Sequence, residues 1–156
     1  MKRIKTLVSA AALVAMLGAA SAADARTFGG FLRNRANHAA VSQTGRANGA
    51  AVAQNGVAND ARIDQNGVNQ SATIHQDGVG NFGVTGQVGR NNSAAISQTG
   101  NGNAACLVQA GSNLDGAAVQ VGDNQHMGVV QTRLGAQPTS TGLCTFIATG
   151  LLFRRR

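Results

Sequence analysis

Few side chains in this sequence are placed for acid, base or nucleophilic chemistry. The three histidines, His38, His75 and His126, are far apart along the chain, and no neighbouring cysteines or carboxylates give them the spacing of a metal site. The other candidates are two serines and a short charged run, Ser42, Ser97, Asp60, Arg62 and Asp64. The serines have no general base beside them, and the charged run resembles a solvated cluster. We therefore predict no catalytic residue, no metal ligand, no cofactor and no enzyme activity.

The side chains that do recur are amides. One glutamine returns every eleven residues, at Gln43, Gln54, Gln65, Gln76, Gln87, Gln98, Gln109, Gln120 and Gln131. A glycine follows two positions later in every repeat but the last, at Gly45, Gly56, Gly67, Gly78, Gly89, Gly100, Gly111 and Gly122. Asparagine recurs at a second fixed position from the first repeat onward, and the candidate stacking residues there are Asn48, Asn59, Asn81, Asn92 and Asn103. An amide both donates and accepts hydrogen bonds, so equivalent amides in adjacent repeats can stack as ladders.

Composition argues against a conventional globular core. The chain has 156 residues, of which 43% are hydrophobic, but alanine supplies much of that share and there are five phenylalanines and no tryptophan or tyrosine. Large apolar side chains provide most of the free energy of burial. The 21 glycines could suggest disorder. The strict phase of the glutamines indicates an ordered repeat architecture instead.

An eleven-residue period fits either a helix or a strand. A right-handed helical supercoil has this period, but it would place a glycine in every third turn at a cost of about 1 kcal/mol each. The strand interpretation puts Asn48, Ala50, Val52 and Gln54 on one face, because alternate residues of a strand share a face. Four-residue arcs such as 55–58 would then join seven-residue strands, with glycine at the reversal.

The sequence therefore predicts an all-β fold, a β-solenoid (β-helix) with two strands in each 22-residue rung and about nine strands in all. Equivalent strands would stack about 4.8 Å apart. His38 and His126 would then share a sheet but lie four rungs, or about 19 Å, apart, so they could not share a metal ion.

The unit Gln-x-Gly-x-x-Asn-x-Ala-x-x-x-Gln, as in residues 43–54, resembles the curlin repeat of curli, the functional amyloid fibres of Gram-negative bacteria. The resemblance covers residues 37–131. It implies a subunit that is exported through the curli secretion channel with accessory proteins, polymerises with itself and other curlin subunits outside the cell, and serves adhesion and the biofilm matrix. It also implies that the repeated glutamines and asparagines are the stacking residues.

The chain departs from the repeat at several positions. Gly83 and Thr85 stand where a larger apolar residue is expected, Leu114 replaces the asparagine, and Arg133 replaces the last glycine. The divergent last repeat and the basic end resemble the minor, nucleator-like curlin somewhat more than the major subunit.

Segments outside the array have their own signals. Cations followed by a short apolar run and small residues predict a signal peptide at residues 1–25, cleaved after Ala22 or Ala25. An uncleaved membrane anchor is the alternative, although the apolar run is shorter than the roughly 20 residues of a span. A basic lead (residues 26–36) precedes the curlin-repeat β-solenoid (37–131), and a C-terminal tail (132–156) is first apolar and then basic.

One outer face of the predicted solenoid becomes apolar in its later half, at Phe82, Val84 and Val108. Cys106 belongs to the same face, and Cys144 lies in the apolar part of the tail. We predict that these two cysteines form a disulfide that fixes the tail over this face, since exported proteins readily form disulfides. Two free or intermolecular thiols are the alternative.

The net charge of the chain indicates which classes of partner to expect. The formal charge is +7, and removal of residues 1–25 leaves ten arginines against five aspartates, a charge of +5. Arg154, Arg155 and Arg156 form a candidate surface anchor that could contact the outer membrane. The array has no aromatic platform or basic groove, so no specific nucleic acid is expected as a partner.

These patterns together predict an exported protein at the cell surface or in an extracellular fibre of a Gram-negative bacterium, which self-assembles or nucleates by cross-β stacking. A monomeric β-solenoid that binds ice or another surface is the alternative function. Binding to ice or another surface would require a flat array of identical outward residues, whereas the outward residues here are heterogeneous.

Overall fold

The computed structural model describes residues 13–18 and 36–146, and most of them lie in strands. The strands are β1 (Leu13–Gly18), β2 (His38–Arg46), β3 (Gly49–Val57), β4 (Asp60–Val68), β5 (Ser71–Val79), β6 (Phe82–Arg90), β7 (Ser93–Thr99), β8 (Ala104–Ser112), β9 (Asp115–Val121), β10 (His126–Thr132) and β11 (Gly135–Thr139). One short helix, α1 (Thr141–Phe146), follows β11.

Successive strands alternate between two sheets. Sheet A has the order β1-β3-β5-β7-β9, and sheet B has the order β11-β10-β8-β6-β4-β2. All pairs are parallel except β10 with β11, and partners within the array are 22 residues apart, as in Gln43 with Gln65. The prediction of a β-solenoid with two strands in each 22-residue rung is confirmed, and β2 to β10 are the nine strands of the array.

Small and branched apolar side chains fill the space between the sheets. The largest buried ones are Ile63, Ile74, Ile96 and Leu107, each at most 1% exposed, with an alanine two residues before each. This alternation follows from the strand period, because every second residue points inward. The interior is narrow, so each rung buries little apolar surface and relies on its neighbours for support.

Thr85 interrupts the apolar column of sheet B. Its side chain is fully buried, and its Oγ1 has no hydrogen-bond partner. Two residues earlier, a Cβ on Gly83 would lie 3.1 Å from Ile74 Cγ2. The opposite isoleucine therefore packs against the glycine backbone and fills the space that an alanine occupies in adjacent rungs.

Strands are longer than the sequence predicted, and the turns are shorter. Six of the nine array strands contain nine residues and continue through the repeated glycine, as β3 does through Gly56 to Val57. The chain reverses after them at residues with positive φ, such as Ala58 (59°) and Asn69 (57°). The prediction of seven-residue strands holds for β7, β9 and β10. It was wrong for the other six, because glycines in adjacent rungs also pair, as Gly56 does with Gly78.

Two parts of the described chain lie outside the array. β1 pairs with β3 at one edge of sheet A, within the segment predicted to be a signal peptide. β11 pairs with β10 at one edge of sheet B, and α1 follows it. Ala22, Ala25 and the basic lead up to residue 35 lie outside the described residues, so the signal peptide, its cleavage and the domain boundaries remain predictions. The only helix in the described part of the chain is α1, and its six residues are too few to cross a bilayer.

Candidate functional site

Two continuous ladders of glutamine amides run along the solenoid, one in each sheet. In sheet A, Gln54 Nε2 donates to Gln76 Oε1 at 2.9 Å, and the same bond joins Gln76 to Gln98 and Gln98 to Gln120 at 2.8 Å. In sheet B, bonds of 2.7–2.8 Å join five glutamines, Gln43, Gln65, Gln87, Gln109 and Gln131. The structure thus brings all nine of the predicted glutamines into ladders.

Each ladder also ties the two sheets together. The second proton of a glutamine Nε2 reaches a backbone carbonyl sixteen residues earlier in the chain, in the opposite sheet. Gln76 donates in this way to Asp60 O at 3.1 Å, and Gln98 to Phe82 O at 3.1 Å. Both glutamines are 0% exposed, so these bonds satisfy polar groups that solvent cannot reach.

The repeated asparagines bond to the backbone and not to one another. Asn59 Nδ2 donates to Asn55 O and to Gly78 O, both at 3.0 Å. Its Oδ1 accepts the N–H of Asn81, one rung further on, at 3.0 Å. Equivalent bonds are made at the other predicted positions, Asn48, Asn81, Asn92 and Asn103. These side chains close the turns, which differs from the amide-to-amide ladder that the sequence predicted.

The predicted turn glycines form two columns, and every one of them has a φ between 101° and 155°. Gly78 illustrates what the position requires: its φ is 126°, and a Cβ there would lie 2.0 Å from Gly100 O. The glycine carbonyl also accepts the Nδ2 of Asn59. Backbones of adjacent rungs therefore approach more closely here than any side chain would permit.

Sequence reasoning missed a set of polar side chains on the turns. Asn69 Nδ2 donates to Asn91 Oδ1 at 2.9 Å, and Asn91 donates to Asn113 at 3.2 Å, so an exposed asparagine ladder runs along one edge. On the other edge, Asn55 donates to Asp77 Oδ1 at 3.0 Å. The recurrence of asparagine every 22 residues at 69, 91 and 113 was the signal that could have identified the first of these ladders.

The titratable groups do not converge. His38 and His126 lie in one column of sheet B, four rungs apart, and His38 Nδ1 is 3.3 Å from Asp60 Oδ1 at an exposed site. Arg62 Nε donates to Asp64 Oδ2 at 2.6 Å, and this hydrogen bond raises the pKa of Arg62 above its ordinary value. Residues 13–18 and 36–146 contain no group of three histidine, cysteine or acidic side chains that could hold a metal ion.

Cys106 and Cys144 form a disulfide that joins β8 to α1. Cys106, Val84, Val108 and Cys144 are all 0% exposed and make a second apolar cluster on the outer face of sheet B, against which Phe82 and Val130 pack. The predicted apolar face is thus covered by the start of α1. The remaining apolar residues of the tail and Arg154, Arg155 and Arg156 lie outside the described residues.

The two ends of sheet B differ. At one end, β2 has no neighbouring strand on its outer side among the described residues, and Gln43 Oε1 is buried without a hydrogen-bond partner. At the other end, β11 runs antiparallel to β10 and contains Pro138. An open strand edge presents unpaired backbone donors and acceptors, which is the property that can recruit another chain.

Comparison with known proteins agrees with this geometry. The family model described as the curlin associated repeat matches residues 35–67, 69–100 and 78–111, which are the strands from β2 to β8. No curated protein and no solved structure matches the chain.

Proposed function

This chain belongs to the curlin family, and we propose that it is a secreted structural subunit of curli-type functional amyloid fibres. In this role it self-assembles with, or nucleates, other curlin subunits by cross-β stacking, and the fibre serves cell adhesion and the biofilm matrix. Curlin proteins are fibre subunits and not enzymes, in keeping with a sequence that offers no catalytic constellation.

The observation that carries the proposal is the open edge of β2. The outward backbone groups of this strand have no strand partner among the described residues, and the buried Oε1 of Gln43 lacks a donor. An incoming strand in parallel register would satisfy both, because each strand already in the array satisfies its neighbour in the same way. Addition of a subunit then extends bonds that the solenoid already makes, with no new kind of contact.

Fibre growth by strand addition at the β2 edge does not require particular residues on the outer faces of the sheets. The interior positions repeat from rung to rung, whereas the outward residues change, as Ser71, Thr73 and His75 of β5 become Ser93, Ala95 and Ser97 of β7. Contacts along the axis therefore carry assembly, and the outer faces remain for attachment to surfaces or other fibres. An ice-binding function would instead need a regular outward array.

A nucleator-like role fits this chain somewhat better than that of the major subunit. The last repeat lacks its glycine, and the tail that follows is apolar and then basic. We propose that the terminal arginines hold the protein at the outer-membrane surface of a Gram-negative cell, where the array templates another curlin. Export through the curli channel with its accessory proteins belongs to the same proposal.

Thioflavin fluorescence of purified residues 26–156, alone and with a second curlin, tests the proposal. We expect fluorescent fibres, or a shortened lag for the second curlin, together with fibre diffraction at about 4.7–4.8 Å and about 10 Å. A chain that remains monomeric at high concentration, seeds no other curlin and binds a surface as a monomer would favour the alternative function.

Two glycine variants provide a matched control for that assay. Gly78→Ala places a Cβ 2.0 Å from Gly100 O, whereas a Cβ at Gly80 meets nothing within 4 Å. Seeding by a stacked array should be lost in Gly78→Ala and kept in Gly80→Ala. Equal seeding by both variants would show that the stacked rungs are not the template.

A further inference from the structure

We propose that the segment from β11 to α1 is a cap that closes the C-terminal edge of sheet B, held in place by the Cys106–Cys144 disulfide, so that another chain adds to sheet B only at the β2 edge. The occupant of that edge is the uncapped last strand of another curlin-repeat chain. This inference rests on the proposed function and specifies which surface performs it.

The first effect of the cap is to cover the edge of β10, which would otherwise be free to pair with an incoming strand. β11 covers β10 over five residue pairs, from Gly128 with Thr139 to Thr132 with Gly135. Because β11 is antiparallel, Ala136 and not a glutamine stands beside Gln131, and the sheet B ladder ends there. Pro138 has no N–H to offer to a further strand, and proline on an edge strand discourages pairing.

The cap is also fixed firmly against the array. The chain passes so close over β10 that a Cβ on Gly128 would lie 2.5 Å from Thr139 O and 3.0 Å from Ser140 O. Ser140 caps the helix that follows, since its Oγ accepts the N–H of Leu143 at 3.2 Å. The disulfide then joins α1 to β8, and Cys144 is 0% exposed. The cap is therefore held both by the disulfide and by close contacts with β10, and removal of either should loosen it.

At the opposite end, the hydrogen-bond direction of the ladder selects the partner. Every glutamine of sheet B except Gln131 donates through Nε2 toward the C-terminal end, so the unpaired acceptor at the β2 end is the buried Gln43 Oε1. A matching partner must offer an Nε2 donor, as the last strand of an uncapped repeat array does. Two β2 edges would place acceptor against acceptor, and the donor end of sheet B is covered by β11.

β1 does not alter this polarity. It covers β3 in sheet A, within the segment predicted to be removed as a signal peptide, and β2 has no outer neighbour among the described residues whether β1 is present or not. At the other end, β9 has no outer neighbour in sheet A among the described residues, but a chain that adds a full rung there also needs the edge of β10, which β11 covers. The oxidised chain is therefore a one-ended template for two-sheet stacking, which starts or terminates a fibre and does not polymerise with itself.

Two variants of the full chain open the cap by independent means. The pair Cys106→Ser and Cys144→Ser removes the disulfide, and Gly128→Val keeps both cysteines but places a side chain where Thr139 O lies. Ala95→Val is the matched control, because it adds the same kind of side chain at an exposed outward position of β7. We expect thioflavin-positive self-assembly from both opened variants and none from the oxidised wild type or Ala95→Val over the same period.

The β2 edge is tested with oxidised chains used as seeds and the Cys106→Ser, Cys144→Ser variant, fluorescently labelled, as the growing partner. His38 N–H bonds to Asn59 O on the β4 side, so the N–H of Ala39 points to the open edge, because successive N–H groups of a strand alternate. Ala39→Pro seeds should lose seeding, whereas wild-type and Ala95→Val seeds should grow label from one end only. Circular dichroism of each seed shows whether it retains its β-sheets. If the Ala39→Pro chain has lost them, Ala40→Lys is used instead, because it places a positive charge on the same edge strand.

The outcomes separate this inference from the function on which it rests. Self-assembly of the oxidised wild type as fast as that of the opened variants, growth from both ends of a seed, or undiminished seeding by folded Ala39→Pro or Ala40→Lys chains would overturn the cap. If no variant forms or seeds fibres, the proposed function itself fails.

Discussion

Gln76 donates a hydrogen bond of 2.8 Å to Gln98, one rung further along the solenoid, and neither side chain is exposed to solvent. Gln98 in turn donates to Gln120 Oε1 and to Phe82 O. A single buried amide therefore connects three rungs of sheet A and reaches across to sheet B. Networks of this kind stabilise a fold only if every member keeps its partners.

Removal of this amide should be costly. Gln98→Leu retains an apolar side chain of similar size but leaves Gln120 Oε1 and Phe82 O without a donor in a site that water does not enter. We expect the free energy of unfolding to fall by about 3 kcal/mol, since each buried unsatisfied group costs about 1–3 kcal/mol. Urea unfolding of the monomeric chain measures this free energy. Ser93→Ala, a substitution at an exposed position of the same strand, is the control. Equal stability of the two variants would contradict the role given to the ladder.

The glycine columns predict a contrast between two nearby alanine substitutions. Gly80 has a φ of 69° and open space around it, so Gly80→Ala should cost only the backbone penalty of about 1–2 kcal/mol. Gly78→Ala adds a collision with the Gly100 carbonyl and should cost about 4 kcal/mol or more. Thermal unfolding followed by circular dichroism compares them, and similar midpoints would mean that the rungs can move apart at this column.

Thr85 offers a stabilising change. Thr85→Val keeps the shape of the side chain and removes a buried hydroxyl that has no partner, so the free energy of unfolding should rise by about 1 kcal/mol. Thr73→Val makes the same replacement at an exposed position of β5 and should have an effect within about 0.5 kcal/mol of zero. A loss of stability in Thr85→Val would indicate that the hydroxyl is satisfied in solution.

The Arg62–Asp64 pair should make a measurable contribution although it lies near the surface. Asp64 is 7% exposed and receives hydrogen bonds from Arg62 Nε at 2.6 Å and Nη2 at 3.3 Å. Arg62→Leu removes both donors, whereas Arg90→Leu removes an exposed arginine with no ion pair in the described part of the chain. A double-mutant cycle with Asp64→Ala should give a coupling of about 1 kcal/mol, the upper range for pairs partly open to water. Coupling indistinguishable from zero would mean that the pair adds nothing to stability.

The repeated part of the fold could be predicted because the same pattern of residue types recurs in every repeat. Inward residues such as Ile63 and Ile74 follow the strand period, and the eleven-residue spacing then fixes the alternation of sheets. Turn boundaries could not be predicted from that pattern, because Ala58 and Asn69 carry the reversal while the glycines before them remain paired. Propensity alone assigns reversals to glycine, and the packing of adjacent rungs overrides it.

Outside the array no sequence pattern recurs, so the structure of the tail could be predicted less completely. The apolar face and the two cysteines indicated where the tail would lie. β11 could not be predicted, because Pro138 argues against a strand and only the antiparallel contact with β10 stabilises it. The asparagines were assigned to the correct positions with the wrong bonds, because backbone groups of the turn occupy their amides: at Asn59 the Nδ2 donates to two carbonyls and the Oδ1 accepts an N–H of the next rung.

The assignment of Cys106 to sheet B limits how the length of this protein could change during evolution. Loss of one eleven-residue repeat between β8 and β11 would place the start of the tail over sheet A and leave Cys106 on the opposite side of the solenoid. Loss of one repeat ahead of β6 would instead move Cys106, Val108 and the tail together, so that they would remain on the same side. Insertions and deletions between Cys106 and Cys144 should therefore survive in steps of two repeats, while the array ahead of β6 is free of that constraint.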